Sequence, residues 1–152
     1  AQAQQYERQH PRREPQEMGR AQAIAHAACG LARDLDARAV VVFTRTGRSA
    51  QLVSQDRPPV PVYAFTEQTS IARRLALWWG VEPRVVTFPD TTDEAIMMAE
   101  RRLLGHEGLE RGDRIVVVGS TPAVARARTN FLSVHRLGRR WDTPDMWEDA
   151  NT

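Results

Sequence analysis

Lysine is absent from this sequence of 152 residues, so all 21 basic side chains are arginines. This absence excludes mechanisms that need a Schiff-base lysine or a lysine that handles phosphate. The single cysteine, Cys29, can form no internal disulfide, and its alanine-rich surroundings are typical of a small core residue. His26 lies three positions before it, but two ligands are too few for a zinc site, so we interpret both side chains as core.

Long apolar runs are also missing. No run approaches the roughly 18 residues that a membrane span needs, and the first residues lack the charged-then-apolar order of a signal peptide. The net charge is only +2, and the arginines are scattered among acids rather than forming a basic stripe. We therefore expect a cytoplasmic protein that has neither a membrane nor a nucleic acid as its partner.

The composition divides the chain into three segments. Residues 1–19 are rich in Gln, Arg, Glu and Pro without an apolar face, which predicts an arm or linker. Residues 20–137 are enough for one domain with one core. Residues 138–152 combine Trp141 and Trp147 with several acids, and this tail is either disordered or docks as a short helix.

Within the domain, short apolar segments alternate with helical periodicity. Helices are predicted over about residues 20–35, over a short segment after residue 49, over 67–79 with Leu77 and Trp78 facing inward, and from Thr91 onward. The predicted strands are 39–43, 62–65, 84–88, 115–118 and 130–137, the last at an edge. This alternation predicts a doubly wound α/β fold, in which helices cover both faces of a mostly parallel sheet.

The loop after the first strand carries the groups that bind anions. It consists of Thr44, Arg45, Thr46, Gly47, Arg48 and Ser49. Hydroxyls, guanidinium groups and the free N–H groups of a following helix N-terminus together suit a phosphate. The same residue types are also ordinary helix caps and turn residues, and neither a Walker A motif nor the three-glycine dinucleotide motif is present.

A second loop follows the fourth predicted strand. If strands one and four are neighbours, both loops meet over one crevice at the carboxyl ends of the strands. The second loop offers hydroxyls and guanidinium groups without a carboxylate: Ser120, Thr121, Arg126, Arg128 and Thr129. We expect the first four of these, together with Trp79, as candidate further contacts of a ligand held by loop 44–49.

Several motifs, taken in order, resemble the C-terminal α/β domain of pyruvate kinase. They include the TRTGRS loop at 44–49, the WGV at 79–81 and the TN at 129–130, and the resemblance covers about residues 20–137. It implies a three-layer α/β/α fold whose five-stranded sheet has the order 3-2-1-4-5, with the last strand antiparallel. It also implies allosteric regulation of a glycolytic enzyme, in which loop 44–49 holds the phosphate of a sugar phosphate or nucleotide effector.

The resemblance does not extend to catalysis. The family's phosphoryl transfer belongs to a barrel domain, of which nothing is recognisable here, so we expect no catalytic residue, metal or cofactor in this chain. The predicted function is a non-catalytic regulatory domain, either free-standing or part of a pyruvate kinase. Residues 121–128 lack the glycines usual in the family, so Arg126 and Arg128 either contact a second phosphate or face solvent, and the effector's identity stays open.

Two alternatives remain. A small enzyme acting on phosphate esters would have Asp90, Asp93 or His135 as its acid or base. An oligomerisation or interaction module would use apolar surface, for which Trp79, Met97 and Met98 are the candidates. The resemblance favours a homodimer, because the family uses this domain at a subunit boundary.

Overall fold

The computed structural model describes residues 19–119, 129 and 131–138. The predictions for the N-terminal arm up to residue 18, for Ser120, Thr121, Arg126 and Arg128, and for the tail beyond residue 138 lie outside the described residues.

Helices and strands alternate along the domain as the periodicity predicts. The helices are α1 (Arg20–Asp34), α2 (Arg48–Gln55), α3 (Thr69–Leu75) and α4 (Thr92–Leu103). The strands are β1 (Ala39–Phe43), β2 (Val62–Thr66), β3 (Val81–Val85), β4 (Arg114–Gly119) and β5 (Phe131–Arg136). In the described part, no helix combines the length and the apolar character of a membrane span.

The five strands form one sheet in the order β3-β2-β1-β4-β5. β1 is central and pairs in parallel with both β2 and β4, so that Val41 lies opposite Tyr63 on one side and Val117 on the other. β5 is an edge strand and pairs antiparallel with β4. The predicted fold class, strand order and edge strand are confirmed.

Two cores cover the two faces of the sheet, because alternate side chains of each strand point to opposite faces. Val40 and Val42 of β1 pack with buried residues of α1, α2 and α3. Val41 and Phe43 face the other way, into a core that includes buried residues of α4. The molecule is therefore the three-layer α/β/α sandwich that was predicted.

The third strand was misplaced by the sequence prediction. β3 spans Val81–Val85 rather than 84–88, since the backbone pairing with β2 begins at Val62 and Val81. Pro83 lies within it, which an edge strand tolerates. The apolar residues that suggested the later range, Val86 and Phe88, are buried against the α4 face just beyond the strand.

The helix predicted over 67–79 also ends early, at Leu75. Beyond it the backbone tightens into i→i+3 bonds, in which the N–H of Leu77 donates to Arg74 and that of Trp78 to Leu75. This tightening turns Leu77 outward, so that it is 88% exposed rather than packed inward. Trp78 does pack against the core, as expected.

Candidate functional site

Loop 44–49 lies at the carboxyl end of the central strand. The Thr44 N–H donates to the carbonyl of Phe65 at 3.0 Å and so extends the pairing of β1 with β2. The buried hydroxyl oxygen of Thr44 accepts a hydrogen bond from the Gly47 N–H at 2.9 Å. Thr44 therefore closes the turn and fixes where the following residues lie.

Gly47 is the residue at which the chain turns into α2. Its φ of +89° lies in the left-handed region, and it is the N-cap of the helix. A Cβ at this position would lie 3.2 Å from Leu75 and 3.3 Å from Ile71, so α3 packs closely on the turn. N–H groups in the first turn of a helix have no partner within the helix, and the dipole of α2 favours an anion at this end.

The last residue of the second predicted loop, Thr129, contacts the first loop. The hydroxyl groups of Ser49 and Thr129 are hydrogen bonded to each other, and both residues are buried. Since β1 and β4 are neighbours, the end of the second loop lies beside the start of α2. The carboxyl ends of neighbouring strands are the position at which α/β sheets bind ligands.

The remaining loop residues point to solvent. Arg45, Thr46 and Arg48 are exposed, and within the described residues the guanidinium groups of Arg45 and Arg48 have no hydrogen bond or ion pair. The Thr46 hydroxyl accepts from the Arg48 N–H at 3.4 Å. Two uncommitted guanidinium groups therefore flank the N-terminus of α2.

The structure adds Arg74, which the sequence reasoning missed. Its Nη2 donates to the carbonyl of Thr46 at 3.4 Å, from α3. A cleft of about 510 Å³ lies between the loop and α3; its lining consists of Thr46, Gly47, Gln51, Ile71, Arg74, Leu75, Leu77 and Trp78. The sequence signal for Arg74 was its place in the run 73–77, one of the motifs that resemble the family, which had not been assigned to the site.

Trp79 is not brought to the loop. Its carbonyl accepts from the Ser54 hydroxyl at 2.6 Å, and the Arg57 guanidinium lies 5.2 Å from the centre of its ring. Both partners are at the C-terminal end of α2, whereas loop 44–49 is at the N-terminal end. The cleft is lined by the neighbouring Trp78 instead.

The other candidate side chains have structural partners. His135 is buried, and its Nε2 donates to Glu100 at 2.7 Å. Cys29 is buried as expected, and desolvation, aided by the charge of Asp56, raises the pKa of its thiol to about 11. The core prediction for His26 was wrong: its side chain is 71% exposed and its Nδ1 lies 2.9 Å from Asp56.

The structure is a doubly wound α/β domain with a tight turn, rich in hydroxyl and guanidinium groups, at the carboxyl end of its central strand. The family described as "Pyruvate kinase, alpha/beta domain" matches residues 22–135. The chain belongs to this family, as the resemblance in its motifs indicated.

Curated relatives give the same result. The chain is 34% identical over 115 residues to pyruvate kinase of Mycobacterium tuberculosis, covering 76% of this chain and 24% of that protein. It is 37% identical over 111 residues to pyruvate kinase of Clostridium acetobutylicum, covering 73% of this chain and 24% of that protein. A crystal structure of pyruvate kinase from Cryptosporidium parvum superposes with a TM-score of 0.72 at 26% identity, covering 81% of this chain and 24% of the other. The chain thus spans about a quarter of the length of these relatives.

Proposed function

We propose that this domain is a non-catalytic regulatory domain that binds a phosphorylated metabolite, a sugar phosphate or a nucleotide, at loop 44–49. The observation that carries the proposal is the pair of uncommitted guanidinium groups, on Arg45 and Arg48, beside the N-terminus of α2. Each can donate a charge-assisted hydrogen bond to a phosphate oxygen, and the helix dipole favours the same negative charge. Thr44 and Gly47 hold the turn in shape before a ligand arrives.

The cleft beside the loop gives room for the rest of such a metabolite. Leu77 and Trp78 supply an apolar wall, and Arg74 supplies a third guanidinium group at its edge. Small-molecule sites combine apolar walls with a few polar groups in this way. We assign the phosphate to the α2 end of the cleft and the organic part to the α3 side.

Any pyruvate kinase activity is assigned to regions outside this domain. The chain has no lysine, a residue that phosphoryl-transfer sites commonly use, and the family match covers the α/β domain alone. Ligand binding here would then regulate a cytoplasmic glycolytic enzyme, of which this chain is a part or a separate partner. The phosphate-ester enzyme is disfavoured because its best base, His135, is buried against Glu100.

The test is a thermal-shift series with inorganic phosphate, sugar phosphates and nucleotides. A ligand that binds only the folded domain raises the melting temperature with its concentration. Arg48→Ala removes one charge-assisted contact, worth roughly 1.5–3 kcal/mol, and is expected to weaken binding by about one to two orders of magnitude.

The matched control is Arg101→Ala, an exposed arginine of α4 on the other side of the sheet. It should leave binding unchanged. Arg48→Ala itself should not destabilise the free domain, because it removes a cation from a helix N-terminus. Absence of any stabilising ligand, or equal stabilisation of both variants, contradicts the proposed site.

We also propose that the domain forms a homodimer. Trp79, which does not line the cleft, is 51% exposed, and large exposed apolar side chains are typical of contacts. Met97 is exposed on the opposite layer, while Met98 packs against the core and is not available. Light scattering across micromolar to hundreds of micromolar chain should give twice the monomer mass of 17.2 kDa, and a constant monomer mass contradicts the dimer.

A further inference from the structure

Three side chains with metal-ligand chemistry lie together at the amino ends of the strands, opposite loop 44–49. Glu82 is near the start of β3, and His106 and Glu107 lie in the turn between α4 and β4. One ligand atom from each residue lies within 4.8 Å of the others. Glu107 Oε1 is 3.7 Å from His106 Nε2, close to the roughly 3.4 Å that separates ligands on a tetrahedral zinc ion.

A cationic group already lies among these atoms. Nη2 of Arg84 is 3.2 Å from His106 Nε2 and 3.3 Å from Glu82 Oε2. A guanidinium group can only donate, so a hydrogen bond from Arg84 would use the lone pair of His106 Nε2. This lone pair is the one with which a neutral histidine binds a metal.

The turn that carries two of the ligands is held in place. Glu107 adopts φ +47° between Gly105 at +79° and Gly108 at +80°. Backbone bonds close the turn, from the Gly105 N–H to the Leu109 carbonyl at 2.7 Å and from the Leu109 N–H to the His106 carbonyl at 3.0 Å. The ligands are thus displayed by a tight turn rather than by a long loop.

A hydrogen bond from the buried Tyr63 orients the carboxylate of Glu107. The Tyr63 hydroxyl donates to Glu107 Oε2 at 2.9 Å, which leaves Oε1 toward His106. Outer hydrogen bonds of this kind fix the carboxylate ligands of metal sites.

We propose that Glu82, His106 and Glu107 form a binding site for Zn²⁺. The ion would take His106 Nε2 and one oxygen of each glutamate, displace the Arg84 guanidinium and complete its coordination with water. One imidazole and two carboxylates are ligands that zinc accepts, and the two carboxylates balance its charge. Bound zinc would tie β3 to the α4–β4 turn, and the site is independent of the proposed phosphate loop.

The experiment titrates Co²⁺, as a coloured substitute for zinc, into the chain. We expect saturable visible absorption at one ion per chain, reversed by Zn²⁺, without the near-ultraviolet band of a cobalt–thiolate bond to Cys29. His106→Gln removes a direct ligand. It should weaken binding more than loss of an orienting residue does, which costs roughly 10–100-fold. His26→Gln is the matched control, because His26 is an exposed histidine with a single carboxylate partner and should behave as the parent.

Two further variants distinguish this site from weak, non-specific metal binding by a single exposed histidine. Tyr63→Phe should weaken binding by roughly 10–100-fold, since Glu107 loses its orienting donor. Arg84→Ala should tighten binding by roughly two- to fivefold, because the cation that competes with the metal is removed. This fold-change corresponds to the free energy of an exposed ion pair. Binding that is not one to one, that persists in His106→Gln, or that Arg84→Ala weakens overturns the proposal.

Discussion

Glu100→Ala is expected to lower the free energy of unfolding by about 2–4 kcal/mol, because two donors lose their acceptor. Glu100 Oε2 accepts from His135 Nε2 at 2.7 Å, and Oε1 accepts from the Gly138 N–H at 2.8 Å. The side chains of His135 and Glu100 are only 5% and 13% exposed, so water replaces little of what is lost. One carboxylate of α4 thereby fixes both the edge strand β5 and the turn after it.

Urea unfolding followed by tryptophan fluorescence measures the change. Glu100→Gln keeps one side-chain acceptor in place and should lose clearly less than Glu100→Ala. Arg101→Ala, at the exposed neighbouring position, should stay within about 0.5 kcal/mol of the parent. A loss under about 1 kcal/mol in Glu100→Ala would show that the carboxylate does not hold β5 in this way.

Local sequence was sufficient for the central strands because burial on both faces makes nearly all of their residues apolar. β1 was predicted with its observed bounds, β2 is one residue longer at its end than predicted, and β4 is one residue longer at each end. The edge strand β3 has no such pattern, since only Val81 of its residues is buried. Its position is set by pairing with β2, a long-range interaction that local periodicity does not report.

The candidate sites divide in the same way. The chemistry of loop 44–49 is contiguous in sequence and could be read there, and the contact between Ser49 and Thr129 followed from the predicted strand order. Arg74 and the cleft depend on how α3 packs over Gly47, which no short motif encodes. The position of Trp79 could not be predicted for the same reason. It lies at the C-terminal end of α2, away from the loop, because α3 ends at Leu75.

Gly47→Val is expected to destabilise the domain by about 2–5 kcal/mol. A residue with a Cβ pays roughly 1–2 kcal/mol in the left-handed region, and a β-branched one is still less suited to it. The Cβ would also lie 3.2 Å from Leu75 and 3.3 Å from Ile71, so further methyl groups must push α3 away, at a cost of about 1–3 kcal/mol. Both effects arise at the turn that positions the N-terminus of α2.

Gly47→Ala and Gly30→Ala form the matched pair that isolates the backbone effect. Gly30 lies within α1, and a Cβ there would meet nothing within 4 Å. Alanine at Gly30 should raise the unfolding free energy by about 0.5–1 kcal/mol, because helix formation favours alanine. Alanine at Gly47 should lower it by about 1–2 kcal/mol. The same urea experiment decides: a gain at Gly47 like that at Gly30 would mean that the left-handed turn is not required, and the proposed phosphate loop would lose the preformed turn on which it depends.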